Sequence, residues 1–170
     1  DKVLADGGSC VLMTHLGRPK GADDNLSLRH IVSEIQNALC VDIQFSKYTI
    51  GPRAEAKAQA LQPGEVMLLE NLRFYDEETK GDEEFANALS TLADCYINDA
   101  FGTAHRAHAS TTIVAQFFPK SKYFGYLLAQ EIDAIDRVMS TGEKPVLAVL
   151  GGAKVSSKIT IIENILDKVD

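Results

Sequence analysis

What is scarce in this chain narrows the field before any motif does. Cysteine occurs three times in 170 residues, at Cys10, Cys40 and Cys95. The number is odd, the positions are far apart and no CxxC pair is present, which excludes a disulfide framework. Each thiol lies in or beside an apolar run, so all three are expected to be small buried groups in a reducing, cytoplasmic compartment. No stretch reaches the roughly 18 apolar residues of a bilayer-spanning helix, and the amino terminus lacks a signal-peptide pattern, so no membrane partner is expected. Nor does any run of Lys or Arg stand out. The 17 basic residues face 24 acidic ones for a formal net charge of -7, which argues against nucleic acid or anionic lipid as the main partner. The Walker A pattern is missing, and no credible Ser-His-Asp or Cys-His set occurs. An anion site in this chain has to be a local basic pocket in an acidic molecule.

What is there is an alternation of apolar runs and helical periodicities. Cys10–Thr14 reads as a strand that runs into His15-Leu16-Gly17-Arg18-Pro19-Lys20-Gly21, a loop by its Gly, Pro and charge content. Leu28, Ile31, Val32, Ile35, Ala38 and Leu39 share one helical face. Val41–Ile43 reads as a short strand, and Gly51-Pro52 opens an Ala-rich helix that Pro63-Gly64 ends. Val66–Leu69 is continuously apolar, as in a parallel sheet covered on both faces. The acidic stretch Asp76–Glu84 reads as surface and precedes a helix carrying Phe85, Ala86, Leu89 and Leu92. Tyr96–Asn98 is a further strand. The predicted fold is α/β, a parallel sheet with helices on both faces linked by right-handed crossovers.

Beyond Pro119 the pattern changes. Leu128, Ile132, Ile135 and Met139 form a stripe on a helix, and Pro145–Leu150 reads as a new buried strand that runs through Gly151-Gly152-Ala153-Lys154 into a helix with Ile159, Ile162, Ile165 and Leu166 on its face. The expected organisation is a first domain over 1–126, a connecting helix over 127–143 and the start of a second α/β domain over 144–170. The first residues read as the last turns of a helix with its glycine cap, and the last ones as a helix with no strand after it. An internal piece of something larger is therefore expected.

Three strands end alike, each followed within a few residues by cations: His15 and Arg18, then Arg73, then His105, Arg106 and His108. Any one of these reads as a solvated charge. Together they converge on one rim if the strands are parallel neighbours, where open α/β sheets bind ligands. The planar guanidinium fork matches two oxygens at once, so the group suits a small doubly anionic ligand such as a phosphorylated acid. His105 and His108 could be an H-x-x-H metal pair, but no third ligand lies near them in sequence and no metal site is expected. His30 reads as a surface or packed side chain. The second constellation is the glycine turn at 151–152 with Lys154 and Lys158, which are four apart and on one helix face; a strand running through glycines into a helix start favours a phosphate. Two anion sites joined by a helix suit an enzyme that moves a phosphoryl group between a small acid and a nucleotide by domain closure.

His15-Leu16-Gly17-Arg18-Pro19, Leu69-Glu70-Asn71-Leu72-Arg73-Phe74, Asn98-Asp99-Ala100-Phe101-Gly102-Thr103-Ala104-His105-Arg106-Ala107-His108 and Leu150-Gly151-Gly152-Ala153-Lys154-Val155 closely resemble the phosphoglycerate kinase family, in the family's order and spacing and over the whole chain. The resemblance implies a cytoplasmic, monomeric two-domain enzyme that interconverts 1,3-bisphosphoglycerate and ADP with 3-phosphoglycerate and ATP. It implies that His15, Leu16, Gly17, Arg18, Arg73 and Arg106, with His108, hold the glycerate. Gly152 and Ala153 would contact the nucleotide, Lys154 would stabilise the transferring phosphoryl group and Lys158 would bind nucleotide phosphates. Mg²⁺ would come with the nucleotide, on ligands beyond these residues.

The chain departs from the family pattern in having no Asp-Phe-Asn strand, no Arg to partner the phosphoryl group and no remainder of a nucleotide domain. Ser157 stands where Asp is commoner, and Thr14 replaces the usual Ser. The 170 residues alone are expected to be catalytically incompetent. The alternative is a non-catalytic α/β module that binds a small organic phosphate.

Overall fold

The computed structural model describes residues 1–141, 144–151 and 159–169. They fall into two compact units, Asp1–Tyr123 and Phe124–Asp170.

The first unit opens with a single helical turn, α1 (Lys2–Ala5), before β1 (Cys10–Leu12). Ser27 then caps a 3-10 turn, Leu28–Ile31, its Oγ accepting from the Arg29 N–H, and α2 (Val32–Leu39) follows. Next come β2 (Ile43–Ser46), α3 (Pro52–Gln59) with its Pro at the helix start, and β3 (Val66–Leu69). β3 lies between β1 and β2 and is parallel to both, with Val66 opposite Cys10 on one side and Ile43 on the other. Because alternate side chains of a strand point to opposite faces, β3 divides the core in two. Val66 and Leu68 pack with Leu28 and Ile43, against which Ile31, Val32, Ile35 and Leu39 also lie. Met67 and Leu69 pack on the other side with Ala54 of α3 and with Phe85, Ala86 and Leu89. All four β3 side chains are buried, so the continuous apolar run has the physical cause expected of a sheet covered on both faces.

After β3 come a 3-10 turn at Leu72–Phe74, α4 (Asp76–Lys80) and α5 (Glu83–Ser90), then β4 (Tyr96–Asn98), a π-helical turn at Ala109–Ile113 and β5 (Lys122–Phe124). Strands β4 and β5 form their own two-stranded sheet, joined through Tyr96 N–H donating to the Ser121 carbonyl at 2.9 Å. The expected third neighbour in one continuous sheet is thus in a separate sheet.

Four more expectations are corrected. The strand placed at Val41–Ile43 starts at Ile43, because Cys40 turns the chain in the left-handed region at φ 55 and the next two residues complete the reversal. The acidic stretch Asp76–Glu84 is helical for most of its length, and its Glu78 is only 2% exposed. Of the three thiols, Cys10 is half-buried while Cys40 and Cys95 are exposed, since each of these two sits at the end of an element rather than within it.

The last correction falls in the second unit, which contains α6 (Tyr126–Asp136), a π-helical turn at Arg137–Thr141 and α7 (Ile159–Ile165). Val146–Leu150 is irregular, with Leu147 81% and Val149 84% exposed, where a buried strand was expected. An inner parallel strand exists only through ladders to neighbouring strands, and residues 125–141, 144–151 and 159–169 contain none.

Candidate functional site

The parallel register of β1 and β3 brings two of the cation-bearing loops to one rim. Both strands end at the same level, with Leu12 opposite Leu68, and the chains continue side by side: the Leu72 N–H donates to the Thr14 carbonyl at 3.2 Å. Asn71 then ties the loops together. Fully buried, it uses its side chain on both, Nδ2 donating to the carbonyls of Leu16 and Leu26 at 2.8 and 2.9 Å while Oδ1 accepts from the N–H groups of Leu16 and Arg73. Glu70 completes the frame, accepting from Ser27 Oγ at 2.6 Å and from the Leu28 and Asn71 N–H groups.

This frame aims Arg73. Its Nη1 donates to the Gly17 carbonyl at 2.7 Å, and its Nε is buried with no hydrogen-bond partner among the described residues. A buried orphan donor on a guanidinium is costly unless an acceptor meets it. Gly17 itself is in the left-handed region at φ 65, and a Cβ there would lie 3.1 Å from the Leu26 side chain, so the carbonyl that receives Arg73 depends on glycine.

The third cation loop reaches the same place. The field of Arg106 bears on His15, Arg73 and His108, and that of Arg18 on Arg73. Burial lowers the proton affinity of His15, with Arg73, His108 and Arg106 lowering it further. His108 is likewise held below the ordinary imidazole range, first by burial and then by Arg73, Arg106 and His105, against an opposing pull from Glu78. Arg73 is affected in the same direction by burial, Arg106 and Arg18, though a guanidinium stays charged through such shifts. Like charges crowding a half-buried rim is an arrangement that an arriving anion relieves.

His15, Arg18, Arg73, Arg106 and His108 are therefore linked through their fields, and Leu16 and Gly17 are the backbone to which Asn71 and Arg73 are fastened. Gly152, Ala153, Lys154 and Lys158 lie outside the described residues. His105 is exposed and accepts at Nε2 from Arg106 Nε at 3.3 Å, while His30 is exposed and its Nε2 lies 2.8 Å from the Asp24 carbonyl. Among the described residues no group of three or more His, Cys, Asp or Glu is placed to hold a metal ion. Sequence reasoning missed Asn71, Glu70 and Glu78. A signal existed for the first, since an Asn two residues past a strand and two before an Arg is suited to cap the turn that aims it.

Comparison with known proteins decides the family. The phosphoglycerate kinase family model matches residues 1–170. The chain belongs to the phosphoglycerate kinase family. It is 46% identical over 193 residues to the phosphoglycerate kinase of Porphyromonas gingivalis, covering 99% of this chain and 46% of that protein. It is 48% identical over 169 residues to that of Moorella thermoacetica, covering 99% and 42%. The solved structure of phosphoglycerate kinase from Coxiella burnetii superposes with a TM-score of 0.84 at 35% identity, over 99% of this chain and 42% of that one. The chain thus spans less than half the length of these phosphoglycerate kinases, and their α/β fold is its own.

Proposed function

We propose that this chain supplies the glycerate side of a phosphoglycerate kinase, binding 3-phosphoglycerate and 1,3-bisphosphoglycerate on the cation cluster around Arg73. The observation that carries this reading is the Arg73 side chain: anchored by Nη1 to Gly17 and carrying a buried Nε without an acceptor, it is flanked by Arg18, Arg106, His15 and His108. Arg18, Arg73 and Arg106 would take the phosphate and carboxylate oxygens as forked donors, with His15 and His108 lining the same basin.

The reaction is transfer of the acyl phosphate of 1,3-bisphosphoglycerate to ADP, giving 3-phosphoglycerate and ATP. Phosphoryl transfer of this kind needs positioning and charge neutralisation rather than a protein nucleophile, and the chain's residues fit that demand. Gly152, Ala153 and Lys158 would bind the nucleotide, with Lys154 steadying the transferring group as the catalytic residue. Magnesium would travel with the nucleotide. Among the described residues no group of three or more His, Cys, Asp or Glu is placed to hold it. The 170 residues would form a binding unit that does not turn over by itself, acting as a monomer in the cytoplasm, where its free thiols stay reduced.

Isothermal calorimetry of the chain with 3-phosphoglycerate tests this. Binding that weakens with added salt and is lost in Arg73→Ala is expected. Equal binding by Arg73→Ala would remove the cluster from the site, and turnover of 1,3-bisphosphoglycerate and ADP by the chain alone would overturn its role as a binding unit only.

A further inference from the structure

One buried carboxylate, that of Glu78, lies beside the cation cluster. Glu78 is on α4, the helix that begins three residues after Arg73. It is 2% exposed. Burial of a carboxylate is unfavourable unless donors surround it, and Ser110 provides two: its Oγ–H donates to Oε1 at 2.6 Å and its N–H to Oε2 at 3.0 Å. His108 Nδ1 lies 3.7 Å from the same Oε1. One turn later, Gly81 caps α4 at φ 69 and lies so close to the neighbouring segment that a Cβ on it would be 2.4 Å from the Ala107 carbonyl oxygen. So α4 meets the chain at 107, 108 and 110, immediately after Arg106, and at its other end it is continuous with the turn that carries Arg73.

We propose that Glu78 is a positioning residue which, by gripping Ser110 and abutting His108, holds Arg106 and His108 at the separation from Arg73 that a small phosphate-bearing dianion requires. The proposal rests on the reading of the cluster as the glycerate site and adds to it the element that sets its width. Arg73 and Arg106 are brought by loops 33 positions apart, and α4 with its cap joins the two arms through Ser110 and the Ala107 carbonyl. Without that brace, the exposed Arg106 would be steered away from Arg73 by like-charge repulsion.

The sign of one substitution separates positioning from simple electrostatics. Glu78→Gln removes a negative charge from beside Arg73 and His108; if charge alone mattered, 3-phosphoglycerate would bind more tightly. Positioning requires the opposite: about tenfold weaker binding, the scale of losing hydrogen bonds to a charged group. Ser110→Ala, which changes no charge, is expected to weaken binding in the same direction, and the double variant to bind no more weakly than Glu78→Gln alone. The His108 ring, followed by NMR, gives a readout that packing alone would not move. It faces Glu78 from α4, Arg73 from the preceding turn, Arg106 and His105 from its own segment and His15 from the first loop. Its midpoint is expected to fall in Glu78→Gln and to stay put in Ser110→Ala.

Equal or tighter binding by Glu78→Gln, with binding by the unmodified chain intact, overturns the positioning role and leaves the site standing. No binding by the unmodified chain takes down both. If Glu78→Gln does not fold, Ser110→Ala decides: unchanged affinity for 3-phosphoglycerate overturns the proposal.

Discussion

Asn71 grips Leu16 by both backbone groups, donating from Nδ2 to its carbonyl at 2.8 Å and accepting its N–H on Oδ1 at 3.3 Å. Residues 55 positions apart are thereby held as if they were rungs of one ladder. The Gly17 carbonyl, next along, is what Arg73 is anchored to. The pocket is built from backbone first and charge second.

Replacing Asn71 by Ala is therefore expected to destabilise the chain by about 2–4 kcal/mol, because it strands the Leu16 and Leu26 backbone groups in a buried place. Urea unfolding monitored by circular dichroism measures it. A loss under about 0.5 kcal/mol, the range of ordinary surface changes, would mean that the clasp does not hold the loops.

Arg73→Lys keeps the charge and loses the fork. A lysine has one nitrogen to divide between the Gly17 carbonyl and a ligand, so 3-phosphoglycerate affinity is expected to fall by about tenfold or more. Calorimetry on the two proteins side by side reports it. Matching affinities would show that only the charge matters at this position.

Acidity acts on the same cluster through His15 and His108, both of which bind protons less readily when folded than an ordinary imidazole at 6.5. The unfolded chain then binds more protons than the folded one in the window just below 6.5, so stability rises with pH there. Above that window the two histidines are neutral in both states and contribute nothing; as pH falls from 6.5 through their lowered folded values, stability is lost. Thermal unfolding from pH 7.5 to 5.5 tests the direction, and His108→Gln is expected to flatten the slope. A slope of the opposite sign would mean that Glu78 outweighs burial at His108.

The central strand offers a contrast within one residue type. Leu68 is fully buried between β1 and β2, whereas Leu147 is 81% exposed. Leu68→Ala is expected to cost about 2–5 kcal/mol, and Leu147→Ala to stay within about 0.5 kcal/mol. Equal losses would put Leu147 inside a core.

Much of this was legible in the residue order, for reasons particular to each element. Val66–Leu69 announces a doubly covered strand because only such a strand tolerates four apolar side chains in a row. The cations after β1 and β3 were legible because a parallel sheet sends its carboxyl ends to one rim, and Arg73 lies where that rule puts it; those after β4 leave a separate sheet. Glu78 was not legible. Between Asp76, Glu77, Glu83 and Glu84 it looks like one more solvated charge, and its burial comes from Ser110, 32 residues later. Pro145–Leu150 misled in the opposite way: its apolar run has the pattern of an inner strand, but a strand is a property of its neighbours as much as of itself. Tyr96–Asn98 shows the same dependence, since Tyr96 is buried while Ile97 is 43% exposed, and its partner is β5 rather than the three-stranded sheet.

The most direct test of the account watches the Arg73 Nε–H itself. In nitrogen-resolved NMR of the chain, saturating 3-phosphoglycerate is expected to move that resonance downfield and slow its exchange with solvent, as the buried donor gains an acceptor, while sodium chloride at matched ionic strength leaves it in place. An Arg73 Nε–H that is indifferent to 3-phosphoglycerate while other resonances respond would contradict the account.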